Sequence, residues 1–178
     1  MPKGALETVI VDKRSAATSQ LESAIWLWFH EGDPVSIHTL AVAAHDCFHA
    51  LVSNTTGKPS AVRTWLATKS KAFQRQTFLA QNFFKHGFNE LKGKFQHEAI
   101  YSEMLMMDAV TCYEMLFNKP TPLMKLYATR FLYEHPSLIA EKALPTFAKN
   151  SEVHQLADST RNEFFEKLFR GFIEKFGG

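Results

Sequence analysis

The run from residue 97 to residue 117 constrains the fold most, because its apolar side chains cover a broad face at helical spacing. A helix that is apolar over much of its circumference must be surrounded by other elements. The run therefore predicts the most buried helix of a bundle. Its apolar positions are Ile100, Met104, Leu105, Ala109, Cys112, Met115 and Leu116.

Helix start and stop signals divide the rest of the chain into further helices. A capping signature, a serine followed three residues later by a glutamate, begins a helix over residues 19–31. Asp33, with Pro34 after it, predicts the start of a second helix that ends near Val52. The remaining segments are a turn-rich linker at 53–60, one or two helical turns in 61–70, a helix over 71–86, a loop over 87–96, a helix from 121 or 122 to about 135 and a helix over 152–176.

Six or seven helices without sustained two-residue alternation predict an all-α, single-domain helical bundle over residues 1–178. A chain of this length can bury a core without disulfides or metals. Residues 1–15 are expected to form an extended or poorly ordered N-terminal arm. Within that arm, residues 7–11 are the only candidate strand.

Composition indicates a folded protein, since 46% of the residues are hydrophobic and 16 are phenylalanine. Cys47 and Cys112 lie in apolar helical patterns without C-x-x-C spacing, which indicates buried thiols in a reducing compartment. The N-terminus lacks the apolar core of a signal peptide, and no apolar run reaches about 18 residues. We expect a cytoplasmic protein without a membrane partner. No phosphate-cradling or nucleophile-elbow motif is present, and we expect no cofactor.

Charge is segregated along the chain although the formal net charge is only +2. Residues 15–57 and 95–118 each carry four acidic residues and no lysine or arginine. Residues 58–94 carry eight basic residues and one acidic residue. Segments of opposite sign can pair across helices, or the basic segment can form a surface for phosphate groups.

Three histidines of the second helix, His38, His45 and His49, fall within an arc of about 40° on an ideal helical wheel. The apolar stripe of that helix points about 120° away, so the histidines are expected to border the polar side. His45 and His49 have metal-ligand spacing, but a metal is only an alternative to ordinary hydrogen-bonding roles. Further ligands would have to come from elsewhere, with Glu103, Asp108 and His86 as candidates.

The segment 71–86 combines a polar stripe with two phenylalanines. Its polar side chains lie within about 60° of one another on the wheel, whereas Phe83 and Phe84 point elsewhere and are expected to anchor the helix. Lysine and arginine bind phosphates, asparagine recognises amide or base edges, and histidine transfers protons near neutral pH. We therefore predict a ligand site between this helix and the second helix. Its candidate residues are His38, Arg75, Asn82, Lys85 and His86.

Two stretches, FHEGDPVSIHTLAVAA at 29–44 and NFFKHG at 82–87, resemble motifs of a family of small bacterial helical proteins. In that family an acidic-Asp-x-Val-Ser sequence leads into a His-Thr-Leu-Ala helix, and an Asn-Phe-Phe-Lys-His-Ala-Asp run follows. The resemblance extends over about residues 19–136. Gly87 and Phe88 replace the Ala-Asp pair here, and the family implies no established activity.

Arg130 and His135 are separated by four residues, in RFLYEH. This spacing is similar to the signature of HEPN domains, helical bundles that include ribonucleases and nucleotide binders. In those domains the arginine and the histidine handle a scissile phosphate. Here Phe131 replaces the polar residue that usually follows the arginine.

The preferred interpretation is a non-catalytic binding module for an anionic ligand, either nucleotide-like or the phosphate backbone of RNA. One alternative is metal-independent RNA cleavage, with His86 or His135 as general base and Arg75 or Arg130 stabilising the phosphorane. The other is a structural homo-oligomer, a dimer with phenylalanine-rich helices at a two-fold interface.

Overall fold

The computed structural model describes residues 8–85, 93–138, 156 and 158–177, without the side chains of residues 76, 77, 85 and 138. These residues form seven α-helices and one short 3-10 helix, and none of them lies in a β-strand. The predicted all-α helical bundle is thereby confirmed. The helices are α1 (Lys13–Phe29), α2 (Pro34–Thr56), α3 (Ala61–Ala67), α4 (Lys71–Lys85), α5 (Ala99–Phe117), α6 (Pro122–Glu134), the 3-10 helix (Pro136–Leu138) and α7 (Arg161–Phe176).

The first helix begins earlier than predicted, because a different residue caps it. Asp12 accepts a hydrogen bond from the Ser15 amide at 2.7 Å, and Ser15 Oγ accepts one from the Asp12 amide at 3.2 Å. This reciprocal capping box gives hydrogen-bond partners to amides of the first turn, which have none within the helix. The helix therefore starts at Lys13 and includes part of the predicted arm. The described part of the candidate strand, residues 8–11, is exposed and lies outside any strand.

The turn between α1 and α2 follows the prediction. Asp33 Oδ2 accepts a hydrogen bond from the Ser36 amide at 2.7 Å, and Pro34 occupies the first helical position. Just before this cap, Glu31 has a left-handed backbone with φ of 52°. The Gly32 amide then donates a 2.8 Å hydrogen bond back to the last turn of α1. Two helices thus reverse direction within four residues.

The end of α2 was predicted one turn too early. The helix runs through Thr56 and ends at Gly57, whose φ of 71° makes it a left-handed cap. Within this last turn, the hydroxyls of Thr55 and Thr56 donate to backbone carbonyls four residues earlier at 2.8 and 2.9 Å. Serine and threonine can therefore remain helical, although their composition is typical of a linker.

The core lies around α2, which packs mainly against α1 on one side and α5 on the other, while α6 packs mainly against α7. Large side chains without solvent exposure fill it, among them Phe29, Phe48 and Tyr127. Cys112 is a buried free thiol, as predicted, whereas Cys47 is only half-buried. Burial, reinforced by the nearby Asp108 carboxylate, raises the pKa of the Cys112 thiol to about 12.

The last helix begins later than predicted. Thr160 caps α7, since its hydroxyl accepts a hydrogen bond from the Glu163 amide while a Glu163 carboxylate oxygen accepts one from the Thr160 amide. Leu156 and Asp158 lie in a turn rather than a helix. Residues 152–155 of the predicted helix lie outside the described residues.

One helix in the described ranges, α2, is long and apolar enough to cross a membrane by length and composition alone. In the bundle, 44% of its apolar window is buried. The core helix of a soluble protein meets the same criteria, so this observation is weak evidence for a membrane span.

Candidate functional site

The predicted polar stripe of α4 is an exposed surface. Lys71, Arg75 and Asn82 lie along one open groove of about 530 Å³, together with Gln74, Phe78 and Leu79. The side chains of Lys71, Arg75 and Asn82 are all exposed. The structure thus brings Arg75 and Asn82 to the same face, as their helical spacing predicts. His86 and the side chain of Lys85 lie outside the described residues.

Most of the positive charge of this face has no carboxylate partner. Residues 58–85 contain six basic residues and no acidic one. Within the described ranges Arg63 is the member of this set that forms an ion pair, at 2.6 Å to Asp46. Lys69, Lys71 and Arg75 are exposed and form none there. Among the described residues, pairing across helices therefore accounts for one of the five basic side chains in this set.

Aromatic rings border one of these cations, Lys69. Trp65 on α3 is 39% exposed, and Lys69 Nζ lies 4.9 Å from its ring centroid. Phe73, at the start of α4, packs edge-on against Trp65 at 5.6 Å. Exposed rings interleaved with lysine are a feature of surfaces that stack on bases while contacting phosphates. We use the name basic face for the groove residues Lys71, Arg75 and Asn82 of α4 together with Trp65 and Lys69, which precede α4 in the chain.

The two phenylalanines of the NFFKHG stretch differ in their surroundings. Phe84 is half-buried, and its ring meets the rings of His38 and His97 at 5.6 and 5.7 Å. Phe83 is 38% exposed and stacks on Phe95 at 5.6 Å. Phe84 therefore anchors α4 to the bundle as predicted, whereas Phe83 is only partly covered.

His38 and His45 are buried, which corrects the prediction that they border the polar side of α2; each is only 1% exposed. The wheel was wrong because it assumed a single apolar face, whereas α2 is covered by α1 and by α5 at once. His49 is half-buried.

His38 does not share a surface with the basic face. Its Nδ1 lies 3.0 Å from Ser102 Oγ on α5, and the same hydroxyl lies 3.0 Å from His97 Nε2. Asn82 instead lines the outer groove of α4. Within the described residues His38 therefore lies beside Ser102 and His97 and does not line the groove of Arg75 and Asn82. The predicted site also includes His86 and Lys85, whose side chains lie outside the described residues, so the shared site stays a prediction.

A second cavity, of about 250 Å³, opens beside the His97 and Ser102 pair. Its wall combines Trp28 of α1, the turn into α2, the segment before α5 and Arg161 of α7. Neither Ser102 nor Arg161 was predicted from the sequence, because their contacts are long-range: Ser102 bonds to His38, 64 residues away, and Arg161 to Glu103, 58 residues away. The larger groove between α5 and α7, about 920 Å³, contains none of the predicted site residues.

The predicted metal pair belongs to a buried hydrogen-bond network. His45 Nε2 donates to Asp108 Oδ2 at 2.8 Å, and the Ser60 amide donates to His49 Nδ1 at 3.2 Å. Burial opposes the charged form of His45, but hydrogen bonds to Asp108 and Asp46 outweigh it and raise its pKa. Burial lowers the pKa of His49. This network joins α2 to α5 and to the start of α3, and the proposed metal role of His45 and His49 stays a prediction.

The HEPN-like pair is occupied by structural contacts. Arg130 is buried and donates to Glu134 at 2.7 Å and to the carbonyls of Leu156 and Ser159. His135 Nε2 lies 3.0 Å from Glu103 Oε2. These bonds engage all three guanidinium nitrogens of Arg130 with acceptors of the described structure. RNA cleavage by this pair stays a prediction.

Glu103, predicted only as a possible metal ligand beside His45 and His49, is the centre of a polar junction that the sequence did not predict. This buried carboxylate accepts hydrogen bonds from Trp28 Nε1 at 2.9 Å and Arg161 Nη2 at 2.8 Å. Ligand atoms of Glu103, Glu134 and His135 lie within 4.8 Å of one another, the spacing of a metal site. However, Arg161 Nη2 also contacts Glu134 at 2.7 Å, so a guanidinium already supplies the positive charge. The acidic bias of residues 95–118 was the available signal.

Fold and surface together define a small all-α bundle that presents a basic, aromatic-bordered helix. In comparisons with known proteins, no family model, curated protein or solved structure matches this chain.

Proposed function

We propose that this protein is a nucleic-acid-binding module and that single-stranded RNA binds along the basic face. The observation that carries the proposal is the unpaired charge: Lys69, Lys71 and Arg75 are exposed cations that form no ion pair within the described ranges. Phosphates would neutralise these cations and release the counterions that surround the RNA.

The geometry of α4 suits an extended strand better than a compact ligand. Lys71 and Arg75 are one turn apart, and Asn82 lies about 16 Å from Lys71 along the helix at the standard rise. Trp65 offers a partly exposed ring for base stacking beside Lys69. Phosphate contacts from the cations and stacking on an aromatic ring together give binding with little sequence preference.

The test is a titration of a fluorescein-labelled single-stranded RNA, followed by anisotropy over a series of salt concentrations. Three neutralised phosphates predict a slope of about −2 in log affinity against log salt, at about 0.7 per cation. Lys71→Ala combined with Arg75→Ala should reduce the slope to about −0.7 and weaken binding for every sequence tested.

Arg170→Ala is the matched control, since Arg170 is an exposed arginine on α7, outside the basic face. It should leave both affinity and slope unchanged. A flat salt dependence in the wild type, or an equal loss in the control, would overturn the proposal. Equal affinity for duplex RNA would overturn the single-stranded assignment while retaining phosphate binding.

A further inference from the structure

The cavity beside α1 and α5 has the composition of a small-ligand site. Trp28, Pro34 and Ile37 supply apolar wall, while His97, Ser102 and Arg161 supply polar groups. Sites for small molecules typically combine apolar walls with a few converging polar groups. The volume of about 250 Å³ corresponds to roughly eight water molecules at about 30 Å³ each. The cavity therefore fits a molecule of roughly six to eight non-hydrogen atoms.

Arg161 is held rigidly at this wall. Its guanidinium carbon lies 3.9 Å from the centroid of the Trp28 ring, and its Nη2 contacts both Glu103 and Glu134. Its Nε also lies 3.2 Å from Glu134. Nη1 has no hydrogen-bond partner among the described residues. Because these contacts already hold one edge of the guanidinium, its remaining N–H groups can bind a planar anion with little further loss of side-chain entropy.

His97 contributes a buried ring nitrogen without a hydrogen-bond partner among the described residues. Its Nε2 bonds to Ser102, while its Nδ1 is buried and has no hydrogen-bond partner in the described part of the chain. Burial lowers the pKa of His97, which favours the neutral ring. A buried polar atom without a partner is costly unless water or a ligand completes it.

The rim of the cavity carries backbone strain. Glu31 and Gly32 line it, and Glu31 is one of two non-glycine residues with positive φ in the described ranges. Such left-handed residues concentrate at ligand-binding sites, where the surrounding structure enforces them. The same turn ends α1, so it holds the rim of the cavity in a fixed conformation.

We propose that this cavity binds a small carboxylate with a short apolar body, a site distinct from the basic face. The carboxylate accepts a hydrogen bond from Arg161 Nη1 and, after a small shift of the His97 ring that uncovers its buried Nδ1, a second one from that nitrogen. The apolar body lies against Trp28 and Ile37. Ser102 fixes the orientation of the His97 ring by bonding its other nitrogen. Ser102 is thus a positioning residue.

The experiment titrates the ¹⁵N-labelled full chain with butyrate, which has six non-hydrogen atoms, and with butyramide, its uncharged analogue. The reporter is the indole N–H resonance of Trp28, assigned by elimination with Trp26→Phe and Trp65→Phe, since both of those rings are exposed. Butyrate should shift the Trp28 resonance saturably. Butyramide should bind about tenfold more weakly, because it lacks the charge that strengthens a hydrogen bond.

His97→Ala should weaken butyrate binding about tenfold, the effect of one lost hydrogen bond to a charged group. Gln96→Ala is the control, because Gln96 is the exposed neighbour in the same segment and does not line the cavity. An unchanged or non-saturating Trp28 resonance in the wild type would overturn the site, whatever the variants do. Equal binding of butyramide would overturn the carboxylate assignment. The double Lys71→Ala, Arg75→Ala variant should bind butyrate normally, so failure of RNA binding leaves this inference intact.

Discussion

Replacing Glu103 by alanine should destabilise the bundle by about 3 kcal/mol, because this one carboxylate joins three helices. The change leaves the indole N–H of Trp28 without its acceptor, and a buried donor without a partner costs about 1–3 kcal/mol. It also leaves Arg161 and His135 without one of their acceptors. Breaking a buried charge pair costs about 3–5 kcal/mol, and the 30% exposure of the Arg161 side chain puts the expected value at the lower end.

Urea denaturation followed by circular dichroism measures this loss. Glu103→Gln keeps an oxygen for Trp28 but removes the charge, and its expected cost is smaller, about 1–2 kcal/mol. The control is Glu114→Ala on the exposed side of the same helix, where a change within about 0.5 kcal/mol is expected. If Glu103→Ala unfolds at the same urea concentration as Glu114→Ala, the junction does not stabilise the fold and the reasoning fails.

Three further predictions concern buried groups and glycines. The pKa of His45 is raised in the folded state, so protonated His45 stabilises the fold fully below about pH 6.5, and this stabilisation is lost as the pH rises through the folded pKa. The difference in unfolding free energy between wild type and His45→Gln should therefore shrink over that pH range. A constant difference would contradict the Asp108 contact. Cys112 should react with a thiol reagent far more slowly than Cys47, because burial raises its pKa to about 12; Cys47→Ser should abolish the fast phase, and a remaining fast phase would refute this. Gly57→Ala should destabilise the fold by about 1 kcal/mol, because φ is positive at this position. Gly171→Ala should stabilise it by about 0.5–1 kcal/mol, because Gly171 lies on a helix with open space around it. Thermal melts that rank the two variants in the opposite order would contradict the assignment of Gly57 as a helix cap.

Local signals predicted the helices well. The Asp33 and Pro34 pair marks a real helix start, and the broad apolar face predicted for residues 97–117 marks the real helix α5, which packs against α2. Where the prediction failed, two local signals competed. A serine with a glutamate three residues later has the pattern of a cap, but Asp12 forms the actual capping box, and no local rule ranks the two.

The candidate site was harder to predict because its contacts are long-range. A helical wheel places His38 relative to its own helix only, and it cannot show that α5 covers that side. Likewise, Glu103 and Arg161 are 58 residues apart, and nothing local marks them as partners. By contrast, the grouping of Arg75 with Asn82 depends on one helix alone, and for that reason the wheel predicted it correctly.

The sparse attachment of α4 has a consequence for hydrogen exchange. This helix packs mainly against α2, and its described anchors are few, chiefly the Phe84 ring and a long Gln81 to Asp46 hydrogen bond. Segments with few buried contacts open locally at a lower free energy than the core. The amides of α4 should therefore exchange through openings that leave α2 and α5 protected, so that a ligand on this helix would slow its exchange selectively.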